Sequence, residues 1–270
     1  KEDHMKNGQL KPGYNIQAAT TNQYVVDFAL YHNPTDFRTL EPFLKQMSTL
    51  DKFDKIVADA GYGSEDNYSM LEKEHPDKKY YIPYTMYEKE KTRKYRSDPT
   101  RLANWFYDEK DDYYLDQNGV RFNFKYYSRR KDRSTDQVRD FKVYEADEFQ
   151  LTPELERLAK TKSGRQRQVR YNPNWQYLKE KAKEVLQSPE GRHIYSMRKY
   201  DVEPIFGHLK NIFGIRRTHL RGKKKVETDV GIAFIMMNLS KYWNRRWSRV
   251  QSSLCKIKKA VKQLKSRVGL

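Results

Sequence analysis

The sequence predicts an α/β fold in which a mixed sheet is flanked by helices and interrupted by a β-rich insertion. Near the start, two runs that alternate apolar and polar residues are separated by two residues, the pattern of an antiparallel hairpin. Helical and strand patterns then alternate, which favours a sheet with helices packed on it. A polar, tyrosine-rich block with period-two alternation follows before helical patterns resume.

The hairpin and the alternating elements lie in residues 8–88. Ser64 is well placed to cap a helix, because its side-chain oxygen can accept a hydrogen bond from a backbone N–H of the first turn. Asn22 and Gln23 separate the two hairpin strands. The predicted elements are hairpin strands at 14–21 and 24–32, a helix at 39–50, a buried strand at 53–59, a helix at 65–74 and a strand at 79–84.

The tyrosine-rich block predicts a separate β-rich insertion at residues 89–174. The Asp-Gln-Asn-Gly sequence at residues 116–119 is a hairpin turn signal within it. Helical patterns resume near Trp175 and continue, with breaks, to Arg246. The predicted organisation is a core formed by residues 8–88 and 175–246, the insertion at 89–174, and a separate basic helix or tail at 247–270.

The positive charge of the chain is concentrated in its last part. The 270 residues contain 54 Lys and Arg against 36 Asp and Glu, a net charge of +18. Residues 211–270 hold 16 of these basic residues and two acids, a surplus of +14. This asymmetry is typical of a protein that binds a polyanion and favours nucleic acid as the partner. The alternative is a solvated, lysine-rich helix that contributes solubility.

Composition also excludes several classes of protein. Apolar residues make up 37% of the chain, enough to build a core, so wholesale disorder is excluded. The longest apolar run, residues 231–239, is too short to span a membrane. Cys255 is the single cysteine, which excludes a disulfide framework and a cysteine-built zinc site. We therefore expect a soluble protein of a reducing compartment without a membrane partner.

Two acidic residues stand out by position. Asp59 ends a predicted strand, where it either initiates the following turn or directs a carboxylate into the crevice outside the strand end. Glu203 lies in a helical pattern with Lys199 four residues before it and Lys210 seven residues after it. One interpretation is that these charges form a solvated row on one face of the helix. The other is that Glu203 lies close to a buried face, because the helix also carries apolar residues, and that its carboxylate therefore binds a cation or a metal.

Three sequence blocks occur in order along the chain. The first is Val-Ala-Asp-Ala-Gly-Tyr at residues 57–62. The second is Arg-Lys-x-Asp-Val-Glu-Pro-x-Phe-Gly-x-x-Lys at 198–210, and the third is Phe-Gly-x-Arg-Arg-x-x-Leu-Arg-Gly at 213–222. Together, with an insertion between the first and second, they resemble bacterial insertion-sequence transposases of the DDE type with a Tyr-Arg-Glu-Lys signature. The resemblance covers roughly residues 8–245.

This resemblance implies a ribonuclease-H-like core whose three acids bind two divalent ions, Mg²⁺ or Mn²⁺. The implied reaction is DNA strand cleavage at the ends of the insertion sequence, followed by transfer of a 3′ hydroxyl to target DNA. Asp59 matches the second Asp of the triad and Glu203 matches the Glu. Both are therefore expected to be catalytic and to ligate metal.

The resemblance also implies residues that contact DNA. Tyr195 and Lys210 match the Tyr and Lys of the signature. Arg198 lies one residue too far from Glu203, so either a helical irregularity absorbs the extra residue or Lys199 takes the place of the arginine. A basic cluster that follows the signature is expected to track the DNA backbone: Arg216, Arg217 and Arg221.

Trp105 is the aromatic candidate within the insertion. In related enzymes with a β-insertion, an aromatic side chain stacks on a base flipped from the transposon end. The alternative is that Trp105 packs the small core of the insertion.

The first Asp of the triad has no fitting counterpart. The family places this Asp on a strand upstream of a Gly-Tyr-Asn sequence, which begins at Gly13 in this chain. Upstream of Gly13 the chain offers only Asp3, which lies among polar residues. The sequence is interpreted as a transposase catalytic part without that strand, which binds DNA and does not cut it. A homodimer in the cytoplasm, associated with the nucleoid, is expected. The alternatives are a non-catalytic DNA-binding remnant of a decayed transposase and a simple nuclease of the same fold.

Overall fold

A computed structural model describes residues 13–132, 137–149 and 151–268, with side chains as far as Ser253 except at positions 249 and 250. The described residues fall into two compact units. The first unit contains the residues up to Lys52 together with those from Ser196 onward, and the second unit is Phe53–Tyr195. Asp3 lies outside the described residues.

Strands and helices alternate along the described chain, which confirms the predicted α/β class. The strands are β1 (Asn15–Thr21), β2 (Tyr24–Tyr31), β3 (Lys55–Val57), β4 (Lys79–Tyr81), β5 (Phe106–Asp108), β6 (Tyr113–Leu115), β7 (Arg121–Lys131), β8 (Val138–Ala146) and β9 (Gln168–Tyr171). The helices are α1 (Leu40–Gln46), α2 (Glu65–Glu74), α3 (Tyr87–Glu90), α4 (Arg93–Arg96), α5 (Pro153–Ala159), α6 (Pro173–Gln187), α7 (Pro189–Asp201), α8 (Glu203–Asn211) and α9 (Lys223–Val268). A ribonuclease-H-like arrangement of these elements stays a prediction.

The antiparallel hairpin β1–β2 forms where the alternating pattern predicts it. Thr21 pairs with Tyr24, so Asn22 and Gln23 are the two residues of the turn. Their φ values of 52° and 65° are those of a type I′ turn, whose twist matches that of the paired strands. Asn tolerates this left-handed region well, whereas Gln23 is held there by a backbone N–H bond to the carboxylate of Asp201.

The core of the first unit lies between this hairpin and helices α8 and α9. Asn238 of α9 bonds to both backbone groups of Val25, donating to its carbonyl at 2.8 Å and accepting from its N–H at 2.9 Å. These two bonds fix α9 along β2. The buried apolar side chains of this core are Val25, Leu30, Ile205, Leu209, Val226, Val230, Ala233 and Phe234.

In the second unit, β3 and β4 form a parallel pair beside α2. The predicted strand at 53–59 is shorter in the structure, because the chain leaves β3 after Val57 and enters a 3-10 helix at Ala60–Tyr62. Helix α2 spans the predicted residues, and Ser64 caps it by accepting a hydrogen bond from the Asn67 N–H at 3.2 Å. Tyr68 of α2 donates to the Ile82 carbonyl at 2.6 Å, which ties the helix to the end of β4.

A five-stranded antiparallel sheet, in the order β5–β6–β7–β8–β9, lies within the residues predicted to form the insertion. At the predicted turn, Asp116 Oδ1 accepts hydrogen bonds from the N–H groups of Asn118 and Val120, both at 2.9 Å. Gly119 has a φ of 89°, a left-handed conformation that favours glycine. The division of the chain into core, insertion and tail stays a prediction.

Two helix predictions change in the structure. The helix around Glu203 is broken at Val202, since Pro204 has no backbone N–H to continue the helical bonding. The basic helix predicted from residue 247 continues a longer helix: α9 runs through that position without interruption, because residues 232–268 contain no Pro or Gly. No helix in the described ranges is long and apolar enough to cross a membrane.

Candidate functional site

Asp59 lies just beyond the carboxyl end of β3. Its Oδ1 accepts a hydrogen bond from the Gly61 N–H at 2.8 Å and caps the 3-10 helix Ala60–Tyr62. The interpretation of Asp59 as the residue that initiates the turn is therefore confirmed. A carboxylate has about four lone-pair positions, so this bond leaves Asp59, which is partly exposed, with capacity for a further ligand.

The turn after Asp59 is held against the end of β4 by a close backbone contact. Gly63 and Tyr84 form an isolated parallel bridge that continues the pairing of β3 and β4. A Cβ atom at Gly63 would lie 2.1 Å from the Pro83 carbonyl oxygen, so only glycine fits. Asn67 adds a side-chain bond to the Tyr62 carbonyl at 2.8 Å. These contacts fix the backbone that carries Asp59.

Glu203 is the first residue of α8, and 64% of its side chain is exposed. Arg198 Nη2 lies 3.9 Å from Glu203 Oε1, at the outer limit of an ion pair. Lys199 lies instead over the ring of Tyr200, with Nζ 5.0 Å from the ring centroid. Arg198 therefore lies beside Glu203 across the break at Val202.

Helix α8 separates an apolar face from a charged one. Ile205 and Leu209 are buried, whereas Glu203 and Lys210 are exposed. Two turns of helix separate these two charged residues, so they share the exposed face. The apolar residues of this helix therefore do not bury Glu203, and its carboxylate is open to a partner from solution.

The two predicted catalytic acids belong to different units, Asp59 to the second and Glu203 to the first. Carboxylate oxygens are the ligands that Mg²⁺ and Mn²⁺ prefer, so each residue is chemically suited to hold such an ion. Within the described part of the chain, no group of three or more His, Cys, Asp or Glu side chains is arranged to hold a metal ion.

The segment between α8 and α9, residues 212–222, is an exposed basic loop. Its arginines Arg216, Arg217 and Arg221 are all exposed, and Arg216 donates to the Asn211 side chain. Three lysines, residues 223–225, then open α9. The helix dipole puts partial positive charge at the N-terminal end of a helix, so the three lysines there are repelled by it. An anion bound at this end would be attracted by both the dipole and the lysines.

Trp105 packs inside the second unit. Its side chain is 8% exposed, its ring centroid lies 4.8 Å from that of Phe122, and its Nε1–H donates to the Pro99 carbonyl at 2.7 Å. This arrangement supports the alternative interpretation of Trp105 as a core residue. Stacking on a DNA base would require the ring to leave this core and to break the bond to Pro99.

Sequence reasoning missed an exposed surface on β7 and β8. The neighbouring strands pair with β7 only as far as residue 123 and with β8 only from residue 142. Residues 126–131 and 138–141 therefore form a two-stranded extension, which we call the β7–β8 ribbon. Tyr127 on this ribbon is 70% exposed, and Arg129, Arg130 and Lys131 are exposed beside it. The signal was visible as the mixture of aromatic and basic residues along this strand.

Arg139 ties the outer end of the β7–β8 ribbon to the N-terminus of α2. Its guanidinium donates to Asp66 at 2.7 Å and to Asp132 at 2.8 Å, and its Nε lies 3.1 Å from Glu65 Oε2. Because α2 directly follows the turn that carries Asp59, this cluster links the ribbon to the candidate site.

Comparison with known families found a match, which begins within the second unit and ends within α9. Residues 117–243 match the family model described as a transposase DDE domain. This stretch is similar to a DDE-type transposase domain. Neither the curated proteins nor the solved structures contain a significant match to the chain.

The matched residues include β7 to β9, α5 to α8 and the first part of α9. Glu203, Lys210 and the basic loop all lie within it. Asp59 and Trp105 precede it, so their roles depend on the sequence blocks and the local geometry alone.

Proposed function

We propose that this chain is the catalytic part of a transposase that cleaves DNA strands at the ends of an insertion sequence and transfers them to target DNA. The observation that carries the proposal is the transposase DDE match over residues 117–243, which includes Glu203 and Lys210 at the spacing of the signature. The surplus of +14 over residues 211–270 supports duplex DNA as the substrate.

The proposed core is ribonuclease-H-like, built from residues 8–88 and 175–246 around an insertion at 89–174 and followed by a tail at 247–270. The order of an antiparallel hairpin, a helix and a parallel strand pair supports this assignment. The position of Asp59 beyond the carboxyl end of β3 also supports it, since open α/β sheets bind their ligands there.

Asp59 and Glu203 are the proposed catalytic acids and metal ligands. When bound, Mg²⁺ or Mn²⁺ would activate the attacking oxygen and stabilise the leaving oxygen. The chain's own contribution is the placement of oxygen donors. The Gly61 N–H orients the carboxylate of Asp59, and the start of α8 exposes that of Glu203.

Phosphate groups of the DNA are the proposed partners of the cations around Glu203. Arg198 lies beside Glu203, and Lys210 lies two turns along the same exposed face. These positions support the proposal that the two residues hold the DNA backbone on both sides of the reacting phosphate. Further proposed contacts come from Tyr195, Lys199, Arg216, Arg217 and Arg221.

Base stacking is assigned to the β7–β8 ribbon instead of Trp105. Tyr127 offers an open ring with basic neighbours on the same strand, a combination suited to single-stranded or flipped bases. A two-stranded ribbon also has the width to enter the major groove of duplex DNA.

One observation favours a second candidate, a DNA-binding remnant without catalysis. The exposed arginines of the basic loop and the exposed basic side chains of the β7–β8 ribbon suffice to bind DNA without any metal. Such a remnant would keep the basic loop and the ribbon and would bind DNA without cutting it.

Nicking of supercoiled plasmid in the presence of Mg²⁺ or Mn²⁺ separates the two candidates. The assay uses this chain and, where coding sequence precedes it, the chain extended by that sequence, each as wild type, Asp59→Asn and Glu203→Gln. If the transposase proposal is right, metal-dependent nicking occurs in at least one wild-type form and falls by about 100-fold or more in both variants. The control Glu154→Gln, an exposed acid on α5, keeps full nicking.

DNA affinity, measured on the same proteins, decides what a negative result means. Tight, salt-sensitive binding without nicking in either wild-type form identifies the remnant. Nicking that persists in both acid variants removes Asp59 and Glu203 from the site. Absence of DNA binding overturns both candidates.

A further inference from the structure

The turn between β1 and β2 carries a residue that does not suit its conformation. Both positions of a type I′ turn have a positive φ, and the second position favours glycine, as in Asn-Gly. Here the turn is Asn22-Gln23, and Gln23 has a φ of 65°. Glycine would adopt this conformation without the steric cost that a side chain brings. Contacts of Gln23 with its surroundings must therefore hold it in this region.

Gln23 makes two hydrogen bonds to the end of α7. Its backbone N–H donates to Asp201 Oδ1, and its side-chain Nε2 donates to the Tyr200 carbonyl at 2.8 Å. Asp201 Oδ2 accepts a third bond, from the Thr20 hydroxyl at 3.3 Å. We call the four residues Thr20, Gln23, Tyr200 and Asp201 the Gln23 clamp. The clamp lies within the first unit and joins segments that are 178 positions apart.

The Gln23 clamp supplies a hydrogen bond that the helix cannot make for itself. In a continuous helix the N–H of residue 204 would donate to the carbonyl of residue 200. Pro204 has no N–H, so the Tyr200 carbonyl lacks this donor. The Gln23 amide donates to that carbonyl instead. The break before α8 is therefore bonded to the hairpin at the point where the helical bonding stops.

The hairpin side of the Gln23 clamp is itself held by α9. Arg245 donates to the Asn22 carbonyl at 2.9 Å, and Lys241 donates to the side-chain oxygen of Gln23. Asn238, further back on α9, makes two bonds to the backbone of β2. The clamp therefore attaches the end of α7 to a turn that is fixed from a second side.

Asp201 and Glu203 lie two positions apart but have different surroundings. Both carboxylate oxygens of Asp201 accept hydrogen bonds from within the protein. Glu203 is 64% exposed, and its Oε1 lies 3.9 Å from Arg198 Nη2. The contacts of Asp201 suit a residue that fixes the backbone, whereas those of Glu203 leave its carboxylate open to solution.

We propose that Gln23 and Asp201 are positioning residues that hold the start of α8 and, through it, the carboxylate of Glu203. The role of Glu203 in this inference rests on the proposed function. Ile205 and Leu209 hold the buried side of α8 in the core, and the Gln23 clamp holds the end at which the helix begins. A displacement of about 1 Å at a reacting centre can lower a rate by about 100-fold, so loss of the clamp should impair cleavage more than DNA binding.

Hydrogen exchange of the α8 amides, measured by mass spectrometry without DNA or metal, tests the Gln23 clamp directly. Gln23→Gly removes the bond to Tyr200 but suits the left-handed turn. Exchange in α8 should rise by about 5-fold or more while the Tm stays within about 3 °C of wild type. The matched control Asn22→Gly changes the other left-handed position of the turn, keeps the clamp and should leave exchange in α8 unchanged.

Plasmid nicking by the same proteins tests the effect on Glu203. Gln23→Gly and Asp201→Ala should lower the maximal rate by about 10-fold or more at unchanged DNA affinity. Asp201→Asn should restore most of the rate, because its side-chain oxygen still accepts from Gln23 and its amide group can donate to Thr20. Asn22→Gly should nick like wild type. A purely structural role would lower the rate only together with the Tm.

Unchanged exchange in α8 of both Gln23→Gly and Asp201→Ala overturns the proposal, as does raised exchange with undiminished nicking. If Asp201→Asn is as inactive as Glu203→Gln, Asp201 acts as a ligand and not through the backbone, which also overturns it. Circular dichroism checks the fold of each variant, and Gln23→Gly decides alone if Asp201→Ala does not fold. If no wild-type form nicks DNA, the proposed function fails, and the exchange measurement still decides whether the clamp holds α8.

Discussion

Gly63→Ala tests whether the close contact between the turn carrying Asp59 and the end of β4 shapes the candidate site. The added Cβ would lie 2.1 Å from the Pro83 carbonyl oxygen and 2.6 Å from the Tyr84 Cα. Both are backbone atoms, so neither can rotate away. The turn and the strand end would have to separate by about 1 Å to reach an ordinary carbon–oxygen contact.

The cost follows from the geometry. Gly63 has a φ of −78°, which alanine adopts freely, so the penalty is steric and not conformational. Overpacking a well-packed site costs about 1–3 kcal/mol, and a clash with main chain belongs at the upper end, near 3 kcal/mol. At about 2–4 °C per kcal/mol for a chain of this size, the Tm should fall by about 6–12 °C.

Thermal unfolding followed by circular dichroism measures this shift, with Gly207→Ala as the matched control. A Cβ at Gly207 would meet nothing within 4 Å, and the residue lies inside α8. Alanine there should stabilise the protein by about 0.5–1 kcal/mol. If Gly63→Ala unfolds within about 0.5 kcal/mol of wild type, the turn and the strand end are not in contact and the reasoning about the position of Asp59 fails.

Two further predictions concern the second unit. Burial raises the pKa of Glu90, but hydrogen bonds from Lys179 and Tyr84 outweigh it and hold the pKa below its ordinary value. The stability contributed by this carboxylate is therefore complete above about pH 4.5 and lost as the pH falls through the lower folded-state pKa. In urea unfolding, Glu90→Gln should be less stable than wild type near pH 7, and the difference should close as the pH falls through the folded-state pKa of Glu90. Trp105→Ala should destabilise the fold by about 3–5 kcal/mol. Tyr127→Ala should keep the Tm of wild type and weaken the binding of single-stranded DNA by about 1–3 kcal/mol. If Trp105→Ala weakens DNA binding and Tyr127→Ala lowers the Tm instead, Trp105 is the stacking residue.

Features that depend on neighbouring residues could be predicted from the sequence. The hairpin follows from period-two alternation around Asn22, and the start of α2 follows from Ser64. The turn at residues 116–119 has the bonds expected of its Asp and Gly. Each of these depends on contacts within a few positions, so a local pattern contains the information that determines it.

Features that depend on distant residues could not be predicted in this way. The sequence marks Trp105 as an aromatic side chain, but its packing on Phe122 and its bond to Pro99 decide that it is buried. The requirement for glycine at position 63 comes from Pro83, twenty residues away. Arg139 takes part of its anion cluster from the start of α2, more than seventy residues earlier.

Helix α9 shows the same division within one element. Its composition and spacing determine that it is a long, basic helix with apolar residues on more than one side, because these properties belong to the order of residues along the chain. Which apolar face becomes core is decided by β2 and α8, whose side chains cover Val226, Val230 and Phe234. The opposite face stays exposed because a helix in contact with one layer buries only the side turned toward it.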